Sequence, residues 1–264
     1  MHLRKSFKEN SFKIVLNILI FLPLFSLLYL WHTFINQHEL IYKLPVENFD
    51  NFFKKEDGEV FQVDNYKVYK FKSDKKVDLV FFHGSIVSSK ILYKNLKKIS
   101  LYANVWTYLL PKFGNNEKIT EFTLLKSAFL VGNFVKQRSD KLILFGQSLG
   151  CNLALFVSYQ LNLPVILENP FFNGQSFFKV KMNALHRFLM SSQFKNDYYL
   201  SNLKNKVFIF SAETEDVIDK EDTLRLSKIN CTKYFILKGT THMSMGKVNQ
   251  YFEKTEEAIK ESFN

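Results

Sequence analysis

Along most of this chain, short continuous apolar runs alternate with longer segments in which apolar residues recur at helical spacing. A continuous apolar run is typical of a strand that is buried on both faces of a parallel sheet. The alternation therefore predicts an α/β fold, with a mostly parallel central sheet and helices on both faces. Strands are expected at 59–63, 66–71, 77–82, 105–110, 142–145, 164–167, 207–211 and 234–237, and helices at 88–101, 121–136, from 149 onward, 220–228 and 243–263.

The N-terminus departs from this alternation, because residues 14–31 form an apolar run of eighteen residues without a charge. As a helix this run would be about 27 Å long, close to the thickness of the hydrocarbon core of a bilayer. Four basic residues precede the run, whereas residues 32–39 contain no lysine or arginine. This bias predicts a single-pass anchor with a cytoplasmic N-terminus and the rest of the chain across the membrane.

A cleaved signal peptide is the alternative explanation of the N-terminal run. Its apolar region would usually be shorter, and no small-x-small cleavage site follows Trp31. An uncleaved anchor is therefore favoured. The predicted organisation is a basic tail (1–13), a transmembrane anchor (14–31), a linker (32–55) and one globular domain (56–264).

Charge and cysteine content limit the classes of partner. The formal net charge of +11 is spread along the chain without an arginine-rich block, which indicates proximity to an anionic lipid surface and not nucleic-acid binding. Two cysteines, Cys151 and Cys231, exclude a disulfide framework. The sequence shows neither metal-ligand spacing nor a dinucleotide fingerprint, so no metal or organic cofactor is expected.

The motif that organises the domain is Gly146-Gln147-Ser148-Leu149-Gly150, which lies between a predicted strand and a predicted helix. This is the context of a nucleophile elbow, a sharp turn that exposes a serine hydroxyl at the top of a sheet. Gly146 and Gly150 leave room for the turn, because a Cβ at either position would collide with a neighbouring strand or helix. Ser148 is the predicted nucleophile.

Two further segments supply groups that a serine nucleophile needs. His83-Gly84-Ser85 follows the buried strand 77–82, and the Ser85 N–H would form an oxyanion hole with the Leu149 N–H. His83 is expected to shape that loop by bonding to nearby backbone. His242 follows the last predicted strand and is the predicted general base.

The acid that would orient His242 is expected on the loop after strand 207–211. Four carboxylates are available there: Glu213, Glu215, Asp216 and Asp219. Aspartate is the usual residue type, which favours Asp216, whereas Asp219 is placed to cap the following helix.

With these segments in chain order, the sequence resembles the α/β-hydrolase superfamily, whose Ser…Asp/Glu…His order it follows. Residues 144–150 and 165–171 also resemble the elbow and the strand-to-lid passage of single-pass membrane-anchored serine hydrolases, related to Bem-type proteins and acyl-protein thioesterase-like enzymes. In the acid loop, the family pattern Gly-x-x-Asp-x-Val aligns without gaps to residues 212–217. The alignment favours Glu215, so Glu215 and Asp216 both remain candidates.

The resemblance implies an α/β-hydrolase fold with a small lid at about 171–203. Phenylalanines and basic residues alternate there, which fits a cap packed on the core or an acyl-binding surface with a basic rim. The predicted function is a membrane-anchored serine hydrolase that cleaves ester or thioester bonds of a small acyl-ester or acyl-protein substrate through an acyl-enzyme. The alternatives are an amidase or serine peptidase with the same triad, and a non-catalytic binding protein.

Overall fold

An eight-stranded sheet forms the centre of the computed structural model, which describes residues 2–37, 41, 49–85, 88–111, 118–182, 184, 187 and 190–264. The order across the sheet is β1-β2-β4-β3-β5-β6-β7-β8. The strands are β1 (Gly58–Val63), β2 (Tyr66–Phe71), β3 (Asp78–Phe82), β4 (Asn104–Tyr108), β5 (Leu142–Gln147), β6 (Val165–Glu168), β7 (Val207–Thr214) and β8 (Lys233–Thr241). β1 and β2 form an antiparallel hairpin, β2 pairs antiparallel with β4, and the remaining neighbours are parallel.

Helices connect the strands and cover both faces of the sheet. In the described residues these helices are α2 (Ser89–Ile99), α3 (Glu121–Lys136), α4 (Gly150–Leu161), α5 (Gly174–Lys181), α6 (Asn196–Ser201), α7 (Lys220–Ser227) and α8 (Asn249–Glu261), whereas α1 (His2–Ile35) precedes the sheet. This architecture confirms the predicted mostly parallel sheet between helices.

The side-chain pattern of β5 shows why the predicted apolar runs are strands. Leu142 and Leu144 pack on one side of the sheet in a cluster with residues of α3 and α4. Ile143 and Phe145 pack on the other side with residues of α2 and α8. Successive side chains of a strand point to opposite faces, so a strand covered on both sides needs apolar residues at every position.

The last two elements differ from the sequence-based expectation. β8 continues to Thr241, and residues 243–248 do not belong to the terminal helix, which begins only at Asn249. The Thr241 N–H donates to Ser244 Oγ at 2.7 Å and closes a turn, after which Met245–Lys247 forms a single 3₁₀ turn. A serine side chain that bonds to local backbone competes with helix formation, which periodicity alone does not register.

Part of the predicted linker packs into the domain. Phe49 is fully buried, and its ring centroid lies 4.9 Å from that of Tyr69 in an edge-to-face contact. Phe53 contacts the same ring at 5.2 Å, and the Tyr69 hydroxyl donates to Asp50 at 2.6 Å. The packed domain therefore begins before residue 56, while linker residues 38–40 and 42–48 lie outside the described part of the chain.

At the N-terminus, α1 contains the predicted anchor. Its segment Asn17–Ile35 is long and apolar enough to cross a membrane, and such a segment also fits a signal sequence. Beyond the helix, Gln37 reaches the globular domain, where its Oε1 accepts from the Ser191 N–H at 2.8 Å and from Ser191 Oγ at 3.0 Å.

The segment expected to be a lid contains α5 and α6. Its phenylalanines Phe171, Phe177, Phe178 and Phe194 are buried and join the core cluster that also contains residues of α4. These side chains therefore serve packing and do not form an exposed acyl-binding surface. Residues 183, 185–186 and 188–189 of this segment lie outside the described residues.

Candidate active site

Ser148 lies at the turn between β5 and α4 in a backbone conformation that is rare for its residue type. Its φ is 51°, in the left-handed region that costs a residue with a Cβ roughly 1–2 kcal/mol. Its N–H donates to the Glu168 carbonyl at 2.8 Å, and its own carbonyl accepts from the Cys151 N–H at 2.9 Å. These two bonds hold the turn closed and leave the hydroxyl outside the strand and helix ladders.

Glycine is required on both sides of the serine. A Cβ at Gly150 would lie 1.9 Å from the Phe82 carbonyl oxygen, and one at Gly146 would lie 2.5 Å from the Gly150 carbonyl oxygen. No heavy atom approaches backbone so closely without displacing it. The start of α4 therefore rests directly on the ends of β3 and β5.

The imidazole of His242 connects the serine to a carboxylate. Its Nε2 lies 3.0 Å from Ser148 Oγ, and its Nδ1 lies 2.8 and 2.9 Å from the two carboxylate oxygens of Glu215. The side chains of His242 and Glu215 are each only 4% exposed. With the Nδ1 proton directed at the carboxylate, Nε2 is free to accept the serine proton.

Glu215 is fixed and ionised by its surroundings. One of its carboxylate oxygens also accepts from the backbone N–H groups of Val217 and Ile218, at 2.8 and 3.1 Å. Burial raises the pKa of this carboxyl, but its hydrogen bonds to His242, Val217 and Ile218 outweigh burial and hold the pKa below its usual value.

The other three carboxylates of this loop have different partners. Asp216 does not contact the imidazole and instead accepts from the backbone N–H of His242 at 3.3 Å. Glu213 accepts from the Gly239 N–H at 2.8 Å, and Asp219 caps α7 by accepting from the Glu221 N–H at 3.1 Å. Of the two candidates that the sequence left open, Glu215 is the one that bonds to the imidazole of His242.

The loop after β3 approaches the serine closely. A Cβ at Gly84 would lie 3.3 Å from the Cβ of Ser148, a tight contact that would require a shift of a few tenths of an ångström. Within the described part of the chain, neither the Ser85 N–H nor the Leu149 N–H donates a hydrogen bond. Both N–H groups therefore lack an intramolecular acceptor in the described residues, and the Leu149 N–H lies at the N-terminus of α4, the positive end of the helix dipole.

His83 supports this loop as a neutral side chain. Its Nδ1 donates to the Gly84 carbonyl at 2.7 Å, and its Nε2 accepts from the Leu110 N–H at 3.4 Å. Burial lowers the pKa of His83 to about 4, although the bond to Gly84 acts in the opposite direction. His83 therefore holds the loop next to Gly84 through its bond to the Gly84 carbonyl.

Comparison with known proteins places this geometry in a known fold. No family model and no curated protein matches the chain. Among solved structures, an esterase of Pyrococcus furiosus matches with a TM-score of 0.63 at 14% identity, over 84% of this chain and 97% of its own. The fold is that of the α/β hydrolases.

Further structures agree with this assignment. A meta-cleavage product hydrolase from Pseudomonas fluorescens matches with a TM-score of 0.60 at 12% identity, over 79% of this chain and 99% of its own. An N-formylmaleamic acid deformylase from Pseudomonas putida matches with a TM-score of 0.56 at 11% identity, over 75% and 99%. At such low identity the likeness establishes the fold alone.

In this α/β-hydrolase fold, a buried carboxyl to which no role was assigned from the sequence lies next to the elbow. Glu168 accepts from Gln147 Nε2 and from the Tyr251 hydroxyl, both at 2.8 Å. Burial raises the pKa of Glu168, and the two hydrogen bonds only partly offset this effect. Its position at the end of β6 was visible in the sequence, but its partners come from residues 21 and 83 positions away.

Asn169, the next residue, joins the ends of three strands. Its Oδ1 accepts from the Ala212 N–H at 2.8 Å, and its Nδ2 lies 3.4 Å from the His242 carbonyl oxygen. The residue has a φ of 47°, which asparagine tolerates better than most residues. Asn169 thereby ties the β7 strand to the loop that carries the histidine.

Substitution of the two acid candidates should separate their roles. We expect Glu215→Gln to lower kcat by about 10³- to 10⁴-fold, because the imidazole loses the carboxylate that fixes its tautomer. Asp216→Asn should lower kcat by about fivefold at most, since an ordinary hydrogen bond contributes about 1 kcal/mol. The measurement is ester hydrolysis by the two purified variants, and a larger loss in Asp216→Asn would contradict the assignment.

His83 should make stability depend on pH. Its folded-state pKa lies below the ordinary value of 6.5, so the unfolded chain binds more protons between these values. The stabilisation that results from the lowered pKa of His83 is fully present above pH 6.5 and is lost as pH falls towards 4. The total loss in the free energy of unfolding is about 3 kcal/mol.

The matching measurement is the free energy of unfolding in urea at pH 7 and at pH 4.5. His83→Gln retains a donor and an acceptor without titrating, so it should lose less stability than the wild type over this interval. His32→Gln, at an exposed histidine of α1, is the control. Equal pH slopes in His83→Gln and the wild type would refute the assignment.

Proposed function

We propose that this protein is a serine hydrolase that cleaves carboxylic ester or thioester bonds through an acyl-enzyme on Ser148. The observation that carries the proposal is the continuous chain of hydrogen bonds from Ser148 Oγ through His242 to Glu215, at 3.0 and 2.8 Å. A nucleophile, a base within hydrogen-bond reach and a group that orients the base are the three parts that such chemistry needs.

In the proposed reaction, His242 Nε2 accepts the hydroxyl proton while Ser148 Oγ attacks the carbonyl carbon of the substrate. The negative charge moves to the carbonyl oxygen, where the Ser85 and Leu149 N–H groups can stabilise it by about 3–4 kcal/mol each. The tetrahedral intermediate then collapses, and His242 returns the proton to the departing alcohol or thiol. The acyl group stays on Ser148 Oγ.

Hydrolysis repeats these steps with water as the nucleophile. His242 removes a proton from water, the resulting hydroxide adds to the acyl carbon, and the same two N–H groups hold the oxyanion. Collapse expels Ser148 Oγ, which recovers its proton from His242. Glu215 stabilises the imidazolium in both halves and retains its negative charge throughout.

An amidase or peptidase is the principal alternative, because the same groups can cleave an amide. The deformylase among the structural neighbours is named for its action on an N-formyl group. An amide is therefore the second candidate for the bond that this protein cleaves. A non-catalytic binding protein is disfavoured by the intact hydrogen-bonded chain from Ser148 to Glu215.

We further propose that residues 14–31 anchor the protein to a membrane as a single pass, with the tail 1–13 in the cytoplasm. The linker would then lead to the hydrolase domain on the far side, with residues 171–203 as its lid. The basic residues before the run and the apolar segment Asn17–Ile35 support this topology. The resemblance to Bem-type membrane-anchored hydrolases supports it further.

Substitution of the nucleophile tests the catalytic proposal. Ser148→Ala should lower kcat/KM on p-nitrophenyl esters by about 10⁴-fold or more and abolish labelling by a fluorophosphonate. Ser201→Ala, at an exposed serine of α6, should retain both. A folded wild type that neither hydrolyses esters from acetyl to palmitoyl nor reacts with the probe would favour the binding protein.

Two arginines in α1 test the anchor. Leu19→Arg combined with Leu22→Arg should release the protein from membranes washed in alkaline carbonate, because each charge costs about 2.5–3.5 kcal/mol at the centre of a spanning helix. Ile229→Arg in the globular domain is the control. An N-terminal epitope tag should stay on the mature chain, and its loss would indicate a cleaved signal peptide.

A further inference from the structure

An open groove runs beside the candidate active site, between α2 and the turn that follows His242. Its volume is about 700 Å³, and its wall on the histidine side contains Met243, Gly246 and Lys247. Met243 is the residue directly after His242. One end of the groove therefore lies one residue along the chain from the proposed general base, and the groove's described lining does not include Ser148, His242 or Glu215.

The turn that forms this wall is rigid. The Thr241 N–H and Ser244 Oγ close it at 2.7 Å, and Met245 is buried with its sulfur 2.9 Å from Asn169 Nδ2. A Cβ at Gly246 would lie 2.4 Å from Asn95 Nδ2, so this turn rests directly on α2. The position of the groove relative to His242 is thus fixed by packing.

The groove is strongly basic. Lys94, Lys97, Lys98 and Lys247 line it, and none of the described lining residues is acidic. Lys97 pairs with Asp57 at 2.8 Å, whereas the other three lysines have no carboxylate partner within the ranges that the structure describes. Lys98 Nζ lies 4.8 Å from the centre of the Phe252 ring, a contact that leaves its charge in place. Three ammonium groups without a carboxylate partner around one concavity create a positive potential that attracts an anion.

The same groove also exposes apolar surface. Ile91, Leu101 and Met243 line it, with exposed fractions of 50%, 64% and 53%. Covering clustered apolar side chains of this kind with an apolar partner removes them from water and lowers the free energy. An anion alone would satisfy the lysines and leave these three side chains in water.

We propose that this groove binds the anionic end of an amphiphilic substrate, so that the ester cleaved at Ser148 carries a phosphate-like or carboxylate group next to an alkyl segment. This inference rests on the proposed function, since it names the substrate class of that site. The phenylalanines Phe171, Phe177, Phe178 and Phe194 of the segment 171–203 are buried, whereas the apolar side chains of this groove are exposed beside its lysines.

Direct binding to the full-length Ser148→Ala protein in uncharged detergent micelles tests the groove without requiring turnover. The probes are hexyl phosphate, inorganic phosphate, hexanol and hexaglutamate, each measured by titration calorimetry. Hexyl phosphate should bind at least about tenfold more tightly than the other three, because only it offers both an anion and an alkyl chain. Tighter binding of hexaglutamate would overturn the proposal in favour of an acidic peptide.

Matched lysine substitutions then locate the binding. Lys94→Gln combined with Lys247→Gln should weaken hexyl phosphate by about tenfold or more, because charge-assisted hydrogen bonds to the anion are lost. Met243→Ser should weaken hexyl phosphate and leave inorganic phosphate unchanged. Lys204→Gln combined with Lys228→Gln removes the same charge from exposed positions outside the groove and should change neither. Equal effects of the two lysine pairs would refute a site in the groove.

Two readouts separate this proposal from the hydrolase proposal. Hexyl phosphate should slow fluorophosphonate labelling of wild-type Ser148, and the Lys94/Lys247 variant should lose this protection. Binding without any labelling or turnover would retain the groove as an anionic-amphiphile site and refute the hydrolase. Labelling that hexyl phosphate does not slow would refute the placement of substrate in the groove and leave the hydrolase intact.

Discussion

The close approach of α4 to the ends of β3 and β5 is the constraint on which the rest of the site depends. With glycine at positions 146 and 150, the helix begins almost in contact with the Phe82 carbonyl. The connection must then turn within Gln147, Ser148 and Leu149, which forces the positive φ of Ser148. The strain of roughly 1–2 kcal/mol persists because surrounding hydrogen bonds fix the turn from both sides.

Buried polar groups transmit this constraint to the neighbouring loops. Glu168, Asn169 and His83 are each at most 3% exposed, and burying such groups without partners would cost several kcal/mol. Each therefore holds a specific piece of backbone or side chain: Glu168 holds Gln147, Asn169 the loop of His242, and His83 the Gly84 carbonyl. Glu168, Asn169 and His83 thus order the elbow and the loop of His242, so the arrangement of Ser148 and His242 is set by the fold itself.

The sequence predicted the sheet, the elbow and the serine–histidine order, because apolar periodicity and a glycine-bracketed turn are local properties of the chain. It left Glu215 and Asp216 open, because the choice depends on where β7 ends. β7 runs to Thr214, so Glu215 is the first residue beyond it and its longer side chain reaches His242 Nδ1. The late start of α8 was missed for a related reason, since a single side-chain bond at Ser244 ends the helical pattern. Partners such as Gln147 and Tyr251 are distant in sequence and leave no periodic signal.

The distribution of positive charge in space is another property that the sequence alone does not predict. A net charge of +11 spread along a chain suggests a general affinity for anionic surfaces. In three dimensions part of it is neutralised locally, as where Lys233 and Lys254 both pair with Glu257. Another part is concentrated, because α2 and the turn after His242 bring together around one groove three lysines that have no carboxylate partner in the described residues. Because low-dielectric walls focus the field of these lysines, they attract an anion more strongly than the same charges scattered over an open surface. The fold thereby gathers part of the excess positive charge into one groove beside the turn that follows His242.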